Sequence, residues 1–346
     1  MKNLNKKPEK NLNKTAGTKA NNERLGWALA GVTVAGGAAL SATLGLANYL
    51  VSQITKSSAP NLSESYTLTP YEMDAEFEEV LFPTANGRML SGWYMSHEGE
   101  RRTVISAHGH GGRKEDMLGI STFLWKAGFN VLMFDFRGHG PERMKGELET
   151  LGTQELEDYL AAIDFIYYRF AEDNQPEPII GACGGSLGAA VALVAAARDA
   201  RIRAVWADSS FSSRREVIAH NFETATHLPS RPVVDTADWV FKLRTGQPMG
   251  DFSPVKEIST MTPRPIYFIH GGADNTTPVS HAHTLYAAAK GYKELWIEPS
   301  LEHCQVYFKF RQEYRRRAIA FFQDWLTSDN QLQKSLEPKV EEGSLA

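Results

Sequence analysis

Short apolar runs rich in β-branched and aromatic residues alternate along most of this chain with stretches whose apolar positions recur every three or four residues. The short runs predict strands at Glu76–Phe82, Met89–Ser96, Thr103–His108, Val131–Phe136, Ile179–Cys183, Ala204–Ala207, Ile266–His270 and Glu294–Ile297. The periodic stretches predict helices near 115–127, 155–170, 187–199, 279–290 and 309–327. The second of these is the clearest, with Leu156, Tyr159, Leu160, Ile163, Ile166, Tyr167 and Phe170 on one stripe. Alternating strands and helices imply parallel βαβ units in a doubly wound α/β sheet, whose ligands sit beyond the carboxyl ends of the strands.

The alternation lapses twice. Between Phe211 and Ile258 no strand is evident, while Pro229, Pro232 and Pro248 punctuate a segment containing Phe222, Trp239 and Phe241. So long an insertion between strands predicts a helical lid, at about 211–258. Near the front, residues 25–55 carry no charge, and the 27 residues Leu25–Val51 are long enough as a helix to exceed the ~30 Å core of a bilayer.

Charge sharpens that second reading. The chain has 37 Lys+Arg against 41 Asp+Glu, a net charge of −4, but residues 1–24 alone hold +5. The positive-inside rule then predicts a basic cytoplasmic arm at 1–24, a single-pass membrane anchor at 25–51, a linker at 52–63 and an extracytoplasmic domain at 64–328. The polar residues 329–346 read as a disordered tail. Two alternatives stand beside the anchor: a signal peptide cleaved near Ser57-Ser58-Ala59, giving a secreted protein, and a buried soluble helix. The remaining composition, 42% hydrophobic and 23% charged, excludes a disordered acidic chain, a collagen-like repeat and a disulfide-stapled miniprotein, and no nucleic-acid partner is expected.

Candidate chemistry begins at Gly184-Gly185-Ser186-Leu187-Gly188, a G-x-S-x-G motif set between a predicted strand and a predicted helix. That is the setting of a nucleophile elbow, in which serine sits on a strained turn and the flanking glycines let backbone pass closely. A serine hydroxyl needs a base to take its proton, and the base needs an acid to orient it. In chain order the acid is expected after a later strand, and Asp274 follows Ile266–His270; the base comes after the next, and His303 follows Glu294–Ile297. The oxyanion of an acyl intermediate needs backbone donors, for which the N–H groups of Leu187 and of His110, in His108-Gly109-His110-Gly111-Gly112, are the candidates. Asp208, at the end of another strand, is an alternative acid or a residue bonded to neighbouring hydroxyls.

These segments, with Asp135-Phe136-Arg137-Gly138-His139-Gly140 and His270-Gly271-Gly272-Ala273-Asp274, resemble the α/β-hydrolase family over about residues 64–327. Among its members the chain is similar to bacterial serine hydrolases of the Bem46 and serine-aminopeptidase-like group. The resemblance implies Ser186 as nucleophile, Asp274 as acid, His303 as base, and hydrolysis of an ester or amide with no cofactor and no metal. It does not fix the substrate: cleavage of a carboxylic ester is the leading expectation, with a peptidase or amidase, or a non-catalytic binding module at the membrane, as the alternatives. Gly185 departs from the bulkier residue found before the serine in many relatives, which would loosen the elbow. The remaining histidines are read as loop residues rather than metal ligands, with His281 and His283 facing solvent, and Cys183 and Cys304 as core packing. The basic cluster Lys309, Arg311, Arg315, Arg316 and Arg317 reads as the solvated face of the last helix.

Overall fold

The computed structural model describes residues 37–56, 68–140, 144 and 147–327. Eight strands form one sheet: β1 Glu78–Pro83, β2 Met89–Met95, β3 Arg102–Ala107, β4 Asn130–Phe134, β5 Ile179–Gly185, β6 Ile202–Asp208, β7 Ile266–Gly271 and β8 Lys293–Glu298. Their order is β1-β2-β4-β3-β5-β6-β7-β8. β1 and β2 pair antiparallel, as do β2 and β4, and every later pairing is parallel. The helices are α1 at 37–55, α2 Leu118–Lys126, α3 Thr153–Glu172, α4 Leu187–Arg198, α5 Arg214–Thr226, α6 Val233–Thr245, α7 Pro254–Thr260, α8 Ser280–Ala288, α9 Val306–Lys309 and α10 Arg311–Trp325.

The central strands are apolar on both faces because helices cover both. Ile105, Ala107, Leu132 and Phe134 point into a core shared with α3 and α4, while their neighbours Val104, Val131 and Met133 point into a second core shared with α2 and α10. Within the second core Trp206 stacks on Tyr267, and its Nε1 donates to Tyr314 Oη at 2.8 Å. The indole N–H is thereby satisfied without water. From β3 the chain moves one way to β4 and the other way to β5, so the loops after β3 and β5 part at the carboxyl edge. Such a switch point is where this architecture opens a crevice.

All eight expected strands are present, and the expected lid is a pair of helices, α5 and α6, followed by α7. α5 is clasped to the loop after β7: His220 Nε2 donates to the Asn275 carbonyl at 2.9 Å and Asn221 Nδ2 to that of Thr276 at 3.1 Å. Arg214, fully buried at the start of α5, donates to the carbonyls of Thr150, Pro248 and Met249 and to Thr153 Oγ1. The lid is therefore bonded both to the acid loop and to the approach to α3.

The front of the chain differs from expectation. Residues 25–36 lie outside the described residues, and among the described residues no helix is long and apolar enough to cross a membrane. The expected boundary at Val51 is not a boundary of the helix, since α1 runs on to residue 55. Ala47, Val51 and Ile54 are buried in the domain core, and Arg244 of α6 donates to Asn48 Oδ1 at 2.6 Å and to Ser52 Oγ at 3.1 Å. Spacing of three and four between those apolar positions gives α1 an inward stripe, which a reading based on charge alone overlooks. Its first turns expose Leu40 and Leu44.

Candidate active site

Ser186 stands between the last residue of β5 and the first of α4 with φ 54° and ψ −116°. For a residue with a side chain this is sparsely populated backbone, held only where the surroundings fix it. Here its N–H donates to the Asp208 carbonyl at 2.8 Å, and its glycine neighbours admit the fold on either side. A Cβ on Gly184 would overlap the backbone of Gly188, and one on Gly188 the backbone of Ala107 and His108. By contrast a Cβ on Gly185 would meet only Cys304 Sγ, at 3.8 Å, so the elbow has the room that this departure from the family pattern implied.

The structure brings Ser186, His303 and Asp274 together. Ser186 Oγ lies 2.9 Å from His303 Nε2, and His303 Nδ1 lies 2.6 Å from Asp274 Oδ2. A carboxylate only accepts, so Nδ1 carries the ring proton and Nε2 offers a lone pair to the serine hydroxyl. Asp274 is itself fixed, its Oδ1 accepting the N–H groups of Thr276 at 2.9 Å and Thr277 at 2.8 Å. Burial would push its carboxyl up, but hydrogen bonds from His270, His303 and the Thr277 amide outweigh it and hold the group well below the usual carboxylate range. Asp274 thus stays ionised, and its side chain is fully enclosed while that of His303 is 23% exposed.

Asp208 does not share this arrangement. It is buried, accepts Ser209 Oγ–H at 2.9 Å, and burial pushes its carboxyl up. Ser209 Oγ also accepts the Cys304 N–H at 3.1 Å, so this pair supports the turn carrying His303. Cys183 is buried as expected, whereas Cys304 is only half-buried, because its φ of 55° places it on that turn rather than in the core. Both thiols are free. His281, expected in solvent, is buried with Nδ1 2.7 Å from Ser212 Oγ, since the lid covers the start of α8; His283 is exposed.

The loop after β3 crosses the serine. A Cβ on Gly109 would lie 3.4 Å from Ser186 Cβ, in van der Waals contact, so the loop backbone packs directly against the serine. Buried His108 accepts the Phe136 N–H at Nε2 and donates from Nδ1 to the Gly109 carbonyl. Burial and the neighbouring His139 push its pKa down to about 4, so it is neutral. His110 follows directly, and its imidazole meets Glu149, a residue that sequence reasoning missed. Glu149 lies in a polar stretch with no motif or periodicity to mark it. Among the described residues no group of three or more His, Cys, Asp or Glu is arranged to hold a metal ion.

A strained serine after β5, hydrogen-bonded to a histidine after β8 and through it to an aspartate after β7, on this strand order, is the arrangement of one superfamily. The fold and the site are those of the α/β-hydrolase superfamily. The family described as Serine aminopeptidase, S33, matches residues 98–231, which include the elbow. YqkD of Bacillus subtilis is 27% identical over 281 residues, 79% of this chain and 90% of its own. YfhR of Escherichia coli K12 is 28% identical over 73% of this chain and 83% of its own. Among solved structures, the Pyrococcus furiosus esterase Pf2001 superposes with a TM-score of 0.61 and 26% identity, covering 75% of this chain and 97% of the esterase. Together these support a serine hydrolase of the α/β type.

Proposed function

We propose that this α/β hydrolase cleaves carboxylic esters through an acyl-enzyme on Ser186. The carrying observation is the unbroken chain from Ser186 Oγ through His303 to Asp274, at 2.9 and 2.6 Å. In this reading Ser186 Oγ attacks the acyl carbon as its proton passes to His303 Nε2, and the ionised Asp274 stabilises the imidazolium. The N–H groups of Leu187, at the positive end of α4, and of His110 receive the developing oxyanion. His303 then gives its proton to the departing alkoxide, and a water activated by the same imidazole releases the acid. Similarity to the Pyrococcus furiosus esterase favours an ester substrate.

The match to a family described as serine aminopeptidase favours a second reading, cleavage of an amide or peptide by the same residues. A panel of p-nitrophenyl esters set against aminoacyl anilides separates the two. Ester turnover exceeding anilide turnover by orders of magnitude supports the first, and the reverse ranking replaces it with the second.

We also propose that the basic residues 1–24 and the uncharged residues ahead of the buried stripe of α1 hold the domain at a membrane, with the N-terminus cytoplasmic and the catalytic domain outside. Sedimentation of the full chain with membranes, and protease access to the domain in intact cells, test this. A chain recovered wholly in the soluble fraction contradicts it.

A further inference from the structure

One buried charge has no part in the proposed mechanism. Glu149 lies between β4 and α3, and its side chain is fully enclosed. Its Oε2 is 2.6 Å from His110 Nδ1, and its Oε1 is 3.2 Å from His139 Nε2. The loop after β3, the loop after β4 and the approach to α3 therefore converge on one carboxylate. Burial would push that carboxyl up, but the contacts from His110 and His139 prevail and hold it at about 2. Both are close approaches of an imidazole nitrogen to a carboxylate oxygen rather than aligned hydrogen bonds, and an ionised carboxylate out of water depends on partners at such distances.

The segment bearing Glu149 is itself anchored. Leu148 pairs with Lys56 at the end of α1, the Thr150 carbonyl accepts Arg214 Nη1 at 2.6 Å, and the Thr150 N–H and hydroxyl donate to Glu155. On the other side of the contact His108 Nδ1 and the Gly112 N–H hold the Gly109 carbonyl, at 2.7 and 3.1 Å, but the His110 peptide itself stands between glycines. In Gly109-His110-Gly111-Gly112 the imidazole is the sole side chain, and glycine backbone has little conformational preference of its own. Yet an oxyanion donor works only within about 2.7–3.1 Å of the developing charge. The loop therefore needs an external tether, and its one side chain is bound to a fixed carboxylate.

We propose that Glu149 is a positioning residue that holds the oxyanion loop against Ser186 through the His110 imidazole. This rests on Ser186 being the nucleophile. Removing the tether leaves the Ser186–His303–Asp274 chain intact but lets the His110 amide drift from the place where negative charge develops. The loss then falls on the transition state and spares ground-state binding.

The test uses the full chain and its His110→Ala, His110→Asn, Glu149→Ala and doubly alanine-substituted variants, with p-nitrophenyl butyrate as substrate. A short trifluoromethyl ketone serves as a second probe. Its carbonyl carbon bonds Ser186 Oγ, the serine proton moves to His303, and the former carbonyl oxygen becomes the anion that the loop receives. His110→Ala is expected to lower kcat by about 10- to 100-fold with KM within about threefold, and to weaken the ketone by the same factor as kcat/KM. His110→Asn, whose side-chain N–H can still reach Glu149, is expected to recover most of the loss. The double variant should be no worse than the poorer single one by more than about twofold, because both substitutions cut one tether. If Glu149→Ala does not fold, the His110 pair carries the test alone. Unchanged kcat and ketone affinity in His110→Ala, or a rise in KM alone, overturns the proposal, as does strict additivity in the double variant. Ester turnover surviving in Ser186→Ala overturns the underlying reading instead, whatever the loop variants do.

Discussion

Replacing Asp274 by asparagine separates the charge of the acid from its shape. The Oδ1 position accepts two backbone N–H groups, from Thr276 and Thr277, so the asparagine oxygen must stay there. Its NH2 group is then directed at His303 Nδ1, now 2.6 Å from a carboxylate oxygen. Two donors cannot face each other, so the ring proton transfers to Nε2 and points at Ser186 Oγ. The histidine can no longer take the serine proton. A forced tautomer of this kind costs on the order of 10⁴ in kcat, or about 5 kcal/mol of transition-state stabilisation. Folding suffers less: the Thr276 and Thr277 N–H groups keep an oxygen acceptor, while their bonds and those from His270 and His303 lose charge assistance, about 3 kcal/mol in all, or roughly 6–12 °C in Tm. Steady-state hydrolysis of p-nitrophenyl butyrate beside a thermal melt reads both quantities. The control is Asp208→Asn, which leaves the His303 tautomer alone and is expected to keep kcat within about tenfold. A folded Asp274→Asn enzyme retaining a tenth of its kcat, or a larger loss in Asp208→Asn, refutes this assignment of the acid.

Three further outcomes follow from packing and burial. Gly188→Ala pushes a methyl group into the backbone of Ala107 and His108 and is expected to cost about 3 kcal/mol or more, whereas Gly185→Ala stays within about 1 kcal/mol; urea midpoints compare them. Arg214→Met deprives the carbonyls of Thr150, Pro248 and Met249 of a buried donor and is expected to lose about 3–5 kcal/mol in the same assay. Buried His108, with a pKa near 4, stays neutral where the unfolded chain's histidine is protonated. Stability therefore falls as pH drops from about 6.5 towards 4, by about 3 kcal/mol in all, and a His108→Gln variant is expected to lose that share of the acid sensitivity.

The strand–helix alternation was legible because parallel strands buried on both faces leave unmistakable apolar runs, and the elbow because sterics demand glycine at fixed offsets from the serine. Asp274 and His303 could be found because chain order places each just after a strand. What escaped notice depends on contacts between segments far apart in sequence. Glu149 is brought to His110 only by the crossing of loops after β3 and β4. Likewise, Arg214 looks like an ordinary lid cation until four acceptors from two segments surround it. The inward stripe of α1 was hidden by a run so uniformly uncharged that hydropathy alone dominated its reading. His281 was misjudged for a related reason, since a helix start is exposed only where nothing folds over it.

That Ser186 carries the acyl group is tested most directly by peptide mapping by mass spectrometry after inactivation with a fluorophosphonate. A single adduct per chain is expected on Ser186, formed in step with the loss of ester hydrolysis, with neither labelling nor turnover in Ser186→Ala. An adduct on another residue, or full turnover in a folded Ser186→Ala protein, contradicts it.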